Sequence, residues 1–401
     1  MFPQKREWLF MLMIAVVSLG LGFVDLAQIP QAPNGLHSRG LVTSVDNSQV
    51  RVNLIVKTEE QFLTVELLDG PHQGESLALI NTLTGKMEFD EFYETGEVVL
   101  VEYGLGQDGR PKNGVARGHY RLGLQMALIA LFGGLLLVVA GTTGLKAMLS
   151  FVFVAMVLWK LYFPLVLMGY PPLATGLAVV ALLTAVITFS VGGMNRRGLA
   201  TFAGSMMGVL LTCGLAVWFA HAFRLHGAVR PFAESLLYSG HYDIRLTDIF
   251  IASIFIASSG AVMDLAMDIA ASMDEIKAKH PGIDLIEHVR SGLRVGRAVI
   301  GTMTTTLLLA YSSSHITMFL LFIAKGLPAA NILNAPFVAA EVLNILVGSF
   351  GLVTVAPFTA LVAGMLYRFE PGASRAKSQT GSEIAAASLK FFSAGFLRRL
   401  S

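Results

Sequence analysis

Apolar residues run along most of this chain in blocks of about 20, and one long segment breaks their rhythm. The first block spans 8–26, behind Lys5 and Arg6. Later blocks lie at roughly 122–141, 147–168, 173–193, 199–222, 248–271, 299–323 and 335–367. A helix of about 20 residues crosses the hydrocarbon core of a bilayer, so the pattern predicts about eight transmembrane helices. The first block reads either as a cleaved signal peptide or as an uncleaved anchor. The following LAQIPQAP offers no clean small-x-small cleavage site, which favours the anchor.

Residues 33–118 follow a different period. Val50, Val52, Leu54 and Val56 alternate, as do Leu63, Val65 and Leu67, and LLDGPHQGE and GQDGRPKNG punctuate the alternation as turns. GEVVLVEYG closes the set as one more strand. Five or six short strands in so short a segment predict a small barrel of OB-like type. The segment lacks the interleaved aromatics and basic stripe of a nucleic-acid binder, so recognition or gating is the expected role. The expected organisation is an anchor helix over 1–32, the β-rich domain over 33–118 and a seven-helix bundle over 119–370. An amphipathic helix over 371–401 completes it.

Composition sharpens this picture. Of 401 residues, 54% are hydrophobic and 14% charged, with a mean hydropathy of +0.65. Soluble proteins carry about 25% charged residues, so the apolar excess faces lipid. Basic residues then set an orientation. Arg196 and Arg197 follow the fourth span; Lys277, Lys279, Arg290, Arg294 and Arg297 follow the sixth; Arg368, Arg375, Lys377, Arg398 and Arg399 follow the last. The positive-inside rule puts these loops and both termini in the cytoplasm and the β-domain outside. The segment 284–297 reads as an amphipathic stretch on the cytoplasmic side. The one cysteine, Cys213, allows no intrachain disulfide and no cysteine metal site.

Three stretches together resemble the YibE/F-like family of membrane proteins: SSGAVMDLAMDIAASMDEI, SGLRVGRAVIGTMTTTLLLAYSSS and NAPFVAAEVLNILVGSFGLVTVAPFTALVAG. GESLALIN and GEVVLVEY in the β-domain are similar in style. Ala298 stands where the family pattern often has an acidic residue after Gly-Arg. The resemblance implies a bacterial envelope protein of the inner membrane and leaves its activity open.

Ionisable groups inside a span are costly and mark functional candidates. Asp264 and Asp268 share one helical face at i, i+4 and would repel each other without a cation or a shared proton; alternatively, the span ends there and both reach the interface. His315 lies near the outer end of span seven, beyond a run of threonines and Ser312–Ser314. Span eight is long and carries Glu341, Asn344, the break candidate 348–351 and Pro357. It reads either as a broken or re-entrant helix or as a single kinked one. Lys160 falls at a depth similar to that of Glu341, and the two are expected to pair unless Lys160 snorkels to the interface.

No P-loop, H-E-x-x-H or Gly-x-Gly-Asp motif occurs, and no cofactor or enzymatic activity is expected. The leading expectation is a permease-like protein coupled to an ion or a proton through Asp264, Asp268 and Glu341. Its rival is an envelope scaffold or sensor whose β-domain binds a ligand or protein. The lipid bilayer, a second copy of the chain or a related membrane protein are the expected partners, without nucleic acid.

Overall fold

A computed structural model describes residues 5–23 and 35–368, with side chains from residue 11 onward apart from Asn113. The cleavage segment LAQIPQAP and the expected helix over 371–401 lie outside the described residues. The chain forms two compact units, Gln28–Val139 and Met1–Ala27 with Ala140–Ser401.

In the first unit, six strands form one sheet: β1 (Leu36–Asp46), β2 (Arg51–Asn53), β3 (Val56–Leu67), β4 (Ser76–Thr84), β5 (Val98–Leu105) and β6 (Pro111–His119). Their order is β1-β5-β6-β4-β3-β2, and β1 also pairs with β3, so five strands close into a barrel with β2 as an arm. The β4–β6 junction is parallel and the rest of the ring antiparallel. This is the small OB-like barrel expected from the alternation. Every second residue points inward: Leu63, Val65 and Leu67 from β3 meet Val99, Val101 and Tyr103 from β5 in one buried cluster. A Cβ on Gly40 would stand 2.7 Å from Val101, so β1 can cross the core there only without a side chain.

One polar group serves this core. Gln61 is fully buried; its amide donates to Asn47 Oδ1 and the Tyr93 carbonyl, both at 2.9 Å, and its oxygen accepts from Asn81 and from the Tyr93 N–H. Every hydrogen-bonding capacity of that amide is used, which removes the penalty of burying it. Burial pushes the Tyr93 phenol up to about 12.

The alternation over 50–56 is not one strand. It folds back as the β2–β3 hairpin, pairing Asn53 with Val56 across Leu54 and Ile55. Leu54 takes a left-handed backbone (φ 57) and is 98% exposed. Alternation continued through the turn because both arms of a hairpin share the two-residue period.

The second unit is helical. It begins with α1 (Lys5–Gly22), and helix α2 (Leu122–Val157) enters it from the first unit. The backbone of α2 leaves helical geometry at Gly141 (φ 54, ψ −126). A π-turn at Leu158–Tyr162 leads into α3 (Phe163–Leu167), so the two spans expected between 122 and 168 form one helical run of 46 residues with that break. Next come α4 (Pro172–Val191) and α5 (Arg196–Ala222), the latter capped by Asn195, whose side chain accepts from the Gly198 N–H. The segment 223–245 contains a 3-10 turn at Gly227–Val229 and α6 (Ala233–Tyr238). It is followed by α7 (Leu246–Lys279), α8 (Leu285–Ser313), α9 (Ile316–Ala324), α10 (Ala329–Asn334) and α11 (Pro336–Arg368).

Among the described residues five helices are long and apolar enough to cross a membrane, or six if α8 and α9 count as one span bent by 65°. The expected count of about eight treated the arms of the 122–167 run separately and added the 18-residue α1. Of the two readings of span eight the single helix holds: α11 is continuous through Gly348, Gly351 and Pro357. It is span seven that breaks, at His315. The stretch 284–297 is not a separate surface helix. Asp284 caps α8, accepting from the Ile286 N–H, and α8 runs on into its span. Its amphipathic character comes from packing on one side only: Gly292 and Gly296 are buried while Arg290, Arg294 and Arg297 face outward.

Lipid tails supply no hydrophobic drive between helices, so close packing has to hold the bundle together. Helices α5, α7 and α11 meet through small residues. A Cβ on Gly351 would fall on Thr212, and one on Gly204 would fall on Thr359. Gly208 faces Val262 and Val355, and Gly348 faces Ser258. Helix α8 joins the layer through Gly292, against Met273 and Ala360, and Gly296, against Ile269 and Ala356.

Candidate functional site

Glu341 stands in the first turns of α11 and is 3% exposed. Three other segments bring polar groups to it. The 3-10 turn ends at Arg230, whose Nη1 donates to Glu341 Oε2 at 3.3 Å. The break between α8 and α9 places His315 Nδ1 3.6 Å from the same oxygen, while that nitrogen donates to the Tyr311 carbonyl at 3.3 Å. Among the described residues Glu341 Oε1 has no hydrogen-bond partner. A buried carboxylate with one oxygen unsatisfied is costly unless something else completes the site.

An open cavity of about 570 Å³ lies beside this group, lined by the 227–236 segment, the start of α7 and Asn344 of α11. Its walls are mostly apolar, including Phe232, Leu236, Ile249 and Phe250, and its polar groups are Arg230, Ser253 and Asn344. Arg230 lies 5.2 Å from the centre of the Phe250 ring, a cation–π contact that holds the guanidinium against the wall. Asn344, three residues after Glu341, is 6% exposed, and no described group hydrogen-bonds its side chain. Two local features fix the wall. A Cβ on Gly227 would fall on the Leu246 carbonyl, so the turn seats directly on the start of α7. Phe232, at the rim, holds a left-handed backbone (φ 61), a strained arrangement for an aromatic residue. Asp248 in the first turn of α7 is nearly buried and paired with Arg245 at 3.1 Å.

The residues singled out from sequence divide into two groups. Glu341, Asn344 and His315 converge on this site. Asp264 and Asp268 do not: both are exposed, on a stripe of α7 that continues from Ser253 and Ala257 through Gly260. Helices α7 and α11 run parallel with Ser258 level with Gly348. At 1.5 Å per residue, Asp264 therefore lies about 20 Å along the bundle from Glu341. Lys160, half-buried in the π-turn, is not a partner of Glu341, whose ionic partner is Arg230, with His315 Nδ1 3.6 Å away. Arg230 was missed from sequence because it lies between the apolar blocks 199–222 and 248–271, 111 positions from Glu341.

At the far end of the bundle a second, more polar cavity of about 480 Å³ is lined by Lys277, Asp284, His288, Tyr367 and Arg368. There the Tyr367 hydroxyl donates to Asp274 at 2.7 Å, and buried His288 donates from Nε2 to the Met273 carbonyl at 2.8 Å. Among the described residues no group of three or more His, Cys, Asp or Glu is placed to hold a metal ion.

Long apolar helices enclosing a buried carboxylate, together with a separate five-stranded barrel, define a membrane-embedded protein of two-unit construction. Residues 128–369 match the YibE/F-like protein family and residues 38–115 match the YibE/F family N-terminal domain, and the chain belongs to that family. No curated protein and no solved structure matches it significantly.

Proposed function

We propose that this protein is a non-enzymatic, permease-like membrane protein whose transport step is coupled to protonation of Glu341. The observation that carries the reading is Glu341 itself: a carboxylate 3% exposed, with one oxygen unpartnered, beside a cavity. A buried carboxylate exchanges its proton according to what its partner cation is doing. Arg230 is that cation, and it also faces the cavity, so occupancy and protonation share one group. The basic residues at the start of α5 and after α7 and α11 support a cytoplasmic side for those helix ends, in a bacterial inner membrane. The test is proton movement in proteoliposomes carrying the full chain. Glu341→Gln should abolish it while leaving the protein folded; undiminished flux in that variant sinks the reading.

A second reading, a scaffold or sensor, draws on the barrel. Its β2–β3 hairpin exposes Val52, Leu54 and Ile55 together, an apolar tip suited to docking on another surface. Under that reading Leu54→Asn removes binding of a partner, and Glu341→Gln changes nothing.

A further inference from the structure

The cavity combines three properties that together restrict what fits it. Its surface is mostly apolar, its volume of about 570 Å³ suits a small organic molecule, and its charged group is a cation. Arg230 reaches it along the Phe250 ring, and Asn344 presents an unused amide close by. A metal cation would find only Asn344, Ser253 and a carboxylate already taken by Arg230, too few oxygens for Mg²⁺ or Ca²⁺. An organic cation would be repelled by Arg230, and a neutral molecule would gain a hydrogen bond from it but no charge compensation.

We infer that the cavity binds an amphipathic monoanion, a carboxylate carried on an apolar or aromatic body, with its head on Arg230 and Asn344 and its body against Phe232, Leu236 and Phe250. This names the substrate class for the permease reading above and rests on it for its role in transport.

The same geometry links binding to a proton. Empty, the site holds Arg230⁺ and Glu341⁻ at 3.3 Å and is neutral. Bringing in an anion would leave one uncompensated negative charge beside the buried Glu341 carboxylate. Uptake of one proton by Glu341 restores neutrality: the guanidinium turns to the ligand's carboxylate, and the protonated Glu341 keeps its place without a cation. The other groups facing Glu341 allow this. His315 on the α8–α9 break has its Nδ1–H on the Tyr311 carbonyl, Tyr311 on α8 is a phenol, and on α7 Asp248 is held by Arg245. One anion and one proton therefore enter together, and apparent affinity rises by up to tenfold for each unit the pH falls, above the ligand's own pKa.

The experiment is calorimetric titration of the full-length protein in nanodiscs with 4-phenylbutyrate, in two buffers of different ionisation enthalpy, with 4-phenylbutanol as the neutral control. Phenylbutyrate should bind with uptake of close to one proton and at least tenfold more tightly than the alcohol. Glu341→Gln should bind it at least as tightly as the parent, with the proton uptake lost. Because R230Q alone strands the buried Glu341 charge, the double variant R230Q/E341Q tests the arginine; it should favour the acid over the alcohol no longer. Equal binding of acid and alcohol by the parent, no binding of the acid, or undiminished proton uptake in Glu341→Gln each overturns the assignment. Binding with proton uptake but no proton-driven movement of phenylbutyrate into proteoliposomes would overturn the permease reading and leave the ligand assignment standing. Glu341-dependent proton flux without phenylbutyrate binding would overturn the ligand assignment alone.

Discussion

Arg230 reaches across 111 positions of sequence to donate to Glu341 at 3.3 Å, and the two belong to elements of opposite character. Glu341 is fixed in a packed helix, whereas Arg230 ends a short turn in a connecting segment.

That pairing makes the two truncations unequal. Breaking a buried ion pair by removing one partner costs about 3–5 kcal/mol, because the remaining charge stays desolvated. Arg230→Ala should lose stability of that order, and Glu341→Gln much less, since the guanidinium is partly exposed and regains water. Unfolding of both variants in mixed micelles of increasing SDS fraction checks the order. Equal losses would mean the pair contributes little.

Asp264 and Asp268 open onto the surface of α7, far along the bundle from Glu341. Replacing both with Asn should leave stability within roughly 1 kcal/mol and leave Glu341-dependent proton flux unchanged. Loss of flux with the fold intact would show that the α7 stripe takes part in the proton path.

Leu54 occupies a left-handed backbone that costs a residue bearing a Cβ about 1–2 kcal/mol. Asparagine tolerates that conformation. Leu54→Asn should stabilise the β2–β3 hairpin by about 1 kcal/mol, read as slower amide exchange at Arg51–Asn53 and Val56–Thr58. Faster exchange would mean that the exposed side chain holds the hairpin in some other way.

Asp69 accepts from the Ser38 hydroxyl at 2.6 Å and from Arg39. The Ser38 bond first, then those from Arg39, hold its carboxyl below the usual carboxylate range. A lowered folded-state pKa contributes stability that is present above the ordinary aspartate pKa and is lost as the pH falls through the lowered value. Amide exchange in β1 should therefore accelerate as the pH drops below about 4, after correction for intrinsic rates. In Asp69→Asn that extra acceleration should vanish; its persistence would assign the effect to another group.

The barrel was legible because its strands bury one face each, so Leu63–Val65–Leu67 and Val99–Val101–Tyr103 carry the inside positions in plain alternation. Helices α4, α5, α7 and α11 were legible as apolar runs bounded by Arg, Pro and Gly. The break at His315 was not, since serines and a histidine look the same in a continuous span as at a bend. Gly348 and Gly351 misled in the other direction: they resemble a break but serve as contact points for Ser258 and Thr212. The Lys160–Glu341 expectation failed because counting along helices gives height in the bundle and says nothing of the direction a side chain faces. Arg230 could be found only from the fold.

The glycine contacts of α5, α7 and α11 have a kinetic consequence. Helices that meet this closely at Gly204, Gly208, Gly348 and Gly351 have little slack for sliding, since a shift puts side chains into the neighbouring helix. They form a stator. Under the permease reading, opening and closing of the cavity would fall to the parts outside that seam, the 223–245 segment above all. Under the permease reading, the rate would then be set by how fast one short connecting segment lifts from the start of α7.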